Sequence, residues 1–95
     1  MVQYRTQLKI VTDVLSTAKD MNSDGTGVGV TILLRRANMP YSRMSKLLAD
    51  LVGSGLLVER GGDKASRYMI SEKGVHFLAQ CHSFEDFAQS FGLRL

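Results

Sequence analysis

The sequence has one cysteine (Cys81), one proline and no tryptophan among its 95 residues. A lone cysteine makes no intrachain disulfide. With only His76 and His82 beside it, it supplies no ligand set for structural zinc. No apolar run approaches the roughly 18 residues that span a membrane. Residues 1–10 lack the apolar stretch of a signal peptide, which reads as a cytoplasmic protein. Catalytic groupings are missing as well. His76, Cys81 and His82 are close in sequence, but Cys81 and His82 diverge on a helix and no carboxylate is placed to orient either histidine. The expectation is a protein that is not an enzyme, with no cofactor, metal or small-molecule ligand. What is present is 44% hydrophobic and 22% charged, the composition of one globular domain, and the chain is too short for a second core.

The net charge of +3 is unevenly placed. Residues 35–70 hold seven basic side chains (Arg35, Arg36, Arg43, Lys46, Arg60, Lys64, Arg67) against three acidic ones (Asp50, Glu59, Asp63). The flanking segments are neutral or slightly acidic. A local basic excess of this kind attracts a polyanion.

Periodicity predicts a helix over residues 4–21, where Tyr4, Leu8, Val11, Leu15 and Ala18 share a face, with Ile10, Val14 and Met21 beside it. Turn formers at 22–27 break it. A second helix is expected over 28–37, ended by Asn38 in the left-handed conformation. A third runs over 40–54, with Pro40 at its first position, Met44, Leu47, Leu48 and Leu51 on its apolar face, and Gly55 closing it. Two short strands around Gly61-Gly62 read as a β-hairpin. Ser71 caps a last helix, with Glu72 in its first turn. Three helices, a hairpin and a helix make an α+β, mostly helical fold: a winged helix-turn-helix with a two-stranded wing and a long C-terminal helix, in a single domain over 1–95.

Two motifs point elsewhere and fail on their chemistry. Asp20-x-Asn22-x-Asp24-Gly25 copies the opening of a calcium-binding EF-hand loop, but Thr31 stands where the bidentate glutamate belongs. Gly25-Thr26-Gly27-Val28-Gly29-Val30 has Val30 in place of the third glycine of a dinucleotide loop, and no preceding strand.

The third helix carries Tyr41, Ser42, Arg43, Ser45 and Lys46 near its N-terminus and off its apolar face, where a recognition helix meets DNA. Arginine grips guanine with two hydrogen bonds; Ser and Lys serve bases or phosphates. Lys64 in the wing turn and Arg67 on its return strand are placed for flanking phosphates, while Asp50 repels phosphate further along the helix. In the last helix, residues 72–91, the positions Phe77, Cys81, Phe84, Ala88, Phe91 and Leu95 repeat every 3.5 residues, the pattern of a coiled-coil seam. Ser83 also offers itself as the cap of a separate helix from Phe84, but the preferred reading is one continuous helix stopped by Gly92. So aromatic a stripe marks a partner surface, here a second copy of the chain.

Four stretches carry a resemblance. They are Arg36-Ala37-Asn38-Met39-Pro40-Tyr41-Ser42; Leu47-Leu48 with Leu51; Ser54-Gly55-Leu56-Leu57-Val58; and Tyr68-x-Ile70-Ser71-Glu72-Lys73-Gly74-x-x-Phe77-Leu78. Over residues 4–80 the chain resembles the small archaeal winged-helix DNA-binding proteins. The resemblance implies a winged helix that binds double-stranded DNA, with or without sequence selectivity, as a homodimer joined by an antiparallel C-terminal coiled coil. It also implies a nucleoid-associated role in transcription regulation or chromatin. Pro40 stands where that family usually has serine and Ser54 where it commonly has lysine, which removes one expected phosphate contact. The rival reading is a winged helix serving protein–protein interaction without DNA.

Overall fold

The computed structural model describes residues 7–22, 25–61 and 66–93. The elements run α1 (Gln7–Asp20), β1 (Val28–Gly29), α2 (Val30–Ala37), α3 (Tyr41–Gly53), β2 (Leu57–Gly61), β3 (Ser66–Ile70) and α4 (Glu72–Gln89).

Helix α1 is apolar over a wide arc, and Ile10, Val11, Val14, Leu15 and Ala18 are all buried. Buried Thr12 and Thr17 donate their hydroxyls to the carbonyls of Leu8 (2.6 Å) and Asp13 (2.7 Å), so neither hydroxyl is stranded in the core. The buried apolar residues of α1 share one core cluster with Leu33 and Ala37 of α2, Met44, Leu47, Leu48 and Leu51 of α3, Leu57 of β2 and Leu78 of α4. Tyr4 lies outside the described residues. Met21, expected in the apolar stripe, falls beyond the end of α1 and is exposed.

The caps follow local chemistry. Asn38 ends α2 at φ +54. Gly55 takes φ +84, while its N–H bonds the Val52 carbonyl and that of Leu56 bonds Leu51, the paired closure that favours glycine after a helix. Ser71 accepts the Gly74 N–H at 2.9 Å and donates to the Gly55 carbonyl at 2.6 Å. One side chain thus caps α4 and ties it to the end of α3. Gly74 completes that joint: a Cβ there would overlap the Leu56 carbonyl oxygen and lie 2.7 Å from Ile70 Cγ1.

Three expectations need correction. The two-stranded wing is the β2–β3 hairpin, and a short further strand, β1, extends the sheet to the order β1-β3-β2. Val28 and Gly29, read as the start of a helix, pair antiparallel with Tyr68 and Arg67, and Val28 is 1% exposed in the core. Pro40, expected as the first helical residue, is instead the N-cap of α3 with an extended ψ of 152°, and the helix begins at Tyr41; the Pro40 carbonyl accepts the Met44 N–H at 3.0 Å. The helix α4 is continuous through Ser83, but the expected seam does not face one way. Cys81 and Ala88 are buried within the protomer, at 5% and 4% exposure, while Phe84 and Phe91 are exposed at 51% and 67%. Packing of α4 across α1, with Lys9 Nζ 3.8 Å from Glu85 Oε2, turns the Cys81–Ala88 side inward. Leu95 lies outside the described residues.

Candidate nucleic-acid interface

Helix α2, the turn at Asn38–Pro40 and helix α3 form the helix-turn-helix. The apolar face of α3 is fixed in the core by four side chains, which leaves the rest of its circumference no choice of direction. Tyr41, Ser42, Arg43, Ser45 and Lys46 are all exposed, Tyr41 at 63%. They occupy the first two turns. There the amides of Tyr41, Ser42 and Arg43 precede the first intrahelical bond and Pro40 supplies no side-chain cap. Cationic side chains and the positive end of the helix dipole therefore coincide. Among the described residues, Arg35, Arg43, Lys46 and Arg60 are held in no ion pair. A shallow depression of about 310 Å³ lies alongside, lined by Gln7, Met39, Arg43, Lys46, Leu47 and Asp50. Asp50 shares it with Lys46 one turn away, so positive potential is strongest at the N-terminal end of α3 and falls along it.

The wing adds to this surface through its register. In the antiparallel ladder Leu57 faces Ile70, Glu59 faces Tyr68 and Arg60 faces Arg67, and directly opposed residues share one side of a sheet. The core side is Leu57, Ile70, Tyr68 and Val28. The outer side is Val58, Met69, Arg60 and Arg67. Arg67 is partly committed: its Nε donates to the Thr26 carbonyl at 3.2 Å and its Nη2 to that of Gly27 at 2.6 Å. It ties the loop before β1 to the wing, and only its remaining N–H groups are available to a ligand. Arg60 carries no such tie. Sequence reading missed it, because only the pairing of β2 with β3 puts it beside Arg67. Lys64 lies outside the described residues.

Among the described residues, two titratable groups are shifted. Burial raises the Tyr68 phenol above its usual value, helped by the Glu59 carboxylate, whose Oε2 accepts its hydroxyl at 3.4 Å. Burial, then Glu85, pushes the Cys81 thiol up. Cys81 therefore packs as a small apolar group rather than reacting as a thiolate. In the loop after α1, Asn22 Oδ1 accepts the Gly27 N–H at 2.8 Å, an internal turn bond in place of the metal ligand that the EF-hand spacing suggested.

The other exposed surface of note is on α4. Phe77 is half-buried, and Gln80, Phe84, Phe87 and Phe91 are exposed, at spacings of 3, 4, 3 and 4. The stripe keeps Phe77, Phe84 and Phe91 of the expected seam and replaces Cys81 and Ala88 by Gln80 and Phe87. Phe87 and Phe91 meet edge to face, with ring centroids 5.2 Å apart. Beside the stripe stand His76, Ser83 and Ser90, so this exposed face carries no carboxylate, lysine or arginine from 76 to 91.

Comparison with known proteins places this geometry. Among curated protein sequences nothing matches the chain. Among solved structures, that of Sso10a-2, a DNA-binding protein from Sulfolobus solfataricus, aligns with a TM-score of 0.77 over 92% of this chain and 85% of that one. The identity is 23%, so the likeness is one of fold. A family model described as winged helix-turn-helix matches residues 4–89. With all but the two ends of the sequence inside that match, and with the helix-turn-helix and wing in place, the chain belongs to the winged helix-turn-helix family.

Proposed function

We propose that the protein binds double-stranded DNA as a homodimer and acts on the nucleoid as a transcription regulator or chromatin component. The carrying observation is the exposed N-terminal face of α3, where Tyr41, Ser42, Arg43, Ser45 and Lys46 stand together on the second helix of a helix-turn-helix. In this reading α3 enters the major groove, with Arg43 and Lys46 reaching base edges or phosphates and Tyr41 a phosphate. Arg60, Lys64 and the free N–H groups of Arg67 lie against the flanking backbone. Phosphate neutralisation supplies most of the affinity. The uncharged aromatic stripe of α4 joins two copies, which presents two recognition helices at once.

Mobility shifts of a mixed-sequence duplex at two salt concentrations test this. Binding should weaken steeply with salt. The Arg43→Ala/Lys46→Ala pair should bind at least tenfold more weakly with unchanged circular dichroism, since a specific arginine–guanine pair alone is worth about 1–3 kcal/mol. Wild-type affinity in the double variant removes α3 from the interface. A wild-type protein that binds no duplex even at low salt supports the protein-interaction reading instead.

A further inference from the structure

We infer that Asp50 makes DNA binding sequence-selective, its carboxylate accepting the N4 amino group of a cytosine in the major groove two helical turns from Arg43. The inference rests on the DNA-binding reading above and names one residue and one base for it. Asp50 is exposed on α3. Among the described residues no hydrogen bond or ion pair holds its carboxylate, not even with Lys46 one turn earlier. The end of the helix closes without it: the Ser54 N–H bonds the Asp50 backbone carbonyl at 2.9 Å, and the Ser54 hydroxyl donates to the Leu51 carbonyl at 3.2 Å. An anion in the last turn of a helix meets the negative end of its dipole. An anion on a face that meets phosphate is repelled by it. The carboxylate is therefore unfavourable for the helix and for the complex, and among the described residues nothing offsets either.

A base edge supplies the missing partner. Arg43, Lys46 and Asp50 follow at +3 and +4, the spacing of one helix face, and all three line the same depression. Arg43 and Asp50 are about 10 Å apart along the axis, close to three base-pair steps of about 3.4 Å. The exposed neighbours of Asp50 are Ala49 and Gly53, and even a Cβ at Gly53 would meet nothing within 4 Å. That half of α3 carries no bulk, so it can approach the bases closely enough for a short side chain to reach them. A carboxylate only accepts hydrogen bonds. In the major groove guanine and thymine offer it no donor, adenine sets its N7 acceptor beside its N6 donor, and cytosine presents the N4 donor alone. Cytosine is the base whose edge fits. Over any other base the carboxylate loses water and gains no partner, so the side chain that selects cytosine also weakens binding to the rest.

The test is selection of bound duplexes from a random pool at low salt, by wild type and by Asp50→Ala, followed by mobility shifts. Alanine suits a helix, and circular dichroism checks the fold. Wild-type sites should carry a C·G pair about three base pairs from a guanine. Replacing that pair by T·A should weaken wild type about tenfold or more and Asp50→Ala by no more than about twofold. On a mixed-sequence duplex Asp50→Ala should bind about twofold or more tighter than wild type, because a repelled anion is gone. Asp50→Asn should move the preference to adenine, whose N6 and N7 an amide takes together. If wild type binds duplex without enriching a base at that position, enriches adenine there, or shares its preference with Asp50→Ala, the assignment of Asp50 is overturned and the DNA-binding reading stands. A wild type that binds no duplex at low salt overturns both.

Discussion

Helices α3 and α4 are both amphipathic, and their exposed faces are built from opposite chemistry. The open face of α3 carries Tyr41, Ser42, Arg43, Ser45 and Lys46, groups that water solvates well. The open face of α4 carries Phe84, Phe87 and Phe91 with serines, a histidine and a glutamine between them. Water is a good partner for the first face and a poor one for the second. A charged face costs nothing to leave bare and gains when a polyanion releases its counterions to bind. An aromatic face gains only when apolar surface replaces water. The two faces should therefore answer to different variables: α3 to salt, and α4 to protein concentration.

The sharpest way to break this division is Phe84→Asp. Phe84 is 51% exposed, so the substitution leaves the monomer core alone. In the middle of the α4 stripe it places a carboxylate on each copy's side of the proposed dimer contact. The dimer dissociation constant should rise a hundredfold or more, about 3 kcal/mol, in the range of an interface hot spot. DNA affinity should fall with it through lost bivalency, and the salt slope should halve because each complex holds one recognition helix. Sedimentation equilibrium and salt-dependent mobility shifts read the two effects. A monomeric variant with the wild-type salt slope would mean that the faces are not linked in this way.

How much of this was legible beforehand depends on the distance over which each feature is decided. Asn38, Gly55, Ser71 and Gly92 act within one turn of themselves, and all four stand where local chemistry puts them. The strand Val28–Gly29 is decided by residues some forty positions away, Tyr68 and Arg67, and no local pattern announces it. The stripe on α4 was half legible. A 3.5-residue repeat through Phe77, Phe84 and Phe91 admits two phases, one through Cys81 and Ala88 and the other through Gln80 and Phe87. Only the packing of the protomer, which buries Cys81 and Ala88, chooses between them. Among the candidate DNA contacts, α3 was legible because its apolar face dictates the rest. Arg60 and the loop ties of Arg67 were not, since both depend on the hairpin register and on a neighbouring loop.

A second experiment sharpens the comparison at the joint between the two helices. In Gly74→Ala the added methyl meets the Leu56 backbone, which is held by the Ser71 N–H at 3.1 Å and cannot rotate aside as a side chain would. Helix α4 must shift away from the end of α3. Overpacking of this kind costs about 1–3 kcal/mol, so the denaturant midpoint should drop with little change in slope. The shift also moves Phe77 and the start of the α4 stripe, so the dimer should weaken beyond what global stability explains. A stability loss without any loss of dimer affinity at temperatures where the variant is folded would separate the joint from the interface.

The smallest effect distinguishes two arginines on the same side of one hairpin. Arg60 and Arg67 are directly opposed, yet only Arg67 donates to the Thr26 and Gly27 carbonyls. Arg60→Ala removes a cation and nothing else. It should lower DNA affinity about equally on all sequences and reduce the salt slope by about one, with stability within roughly 0.5 kcal/mol of wild type. Arg67→Ala removes a cation and two hydrogen bonds from a charged donor to backbone carbonyls. It should cost about 1–3 kcal/mol of stability as well as some affinity, because the loop before β1 loses its tie to the wing. Arg67→Lys keeps the charge but cannot reproduce the fork that reaches two carbonyls at once. It should therefore restore the salt slope without restoring the stability. If lysine restores both, the side chain acts as a charge alone and the loop stands without it.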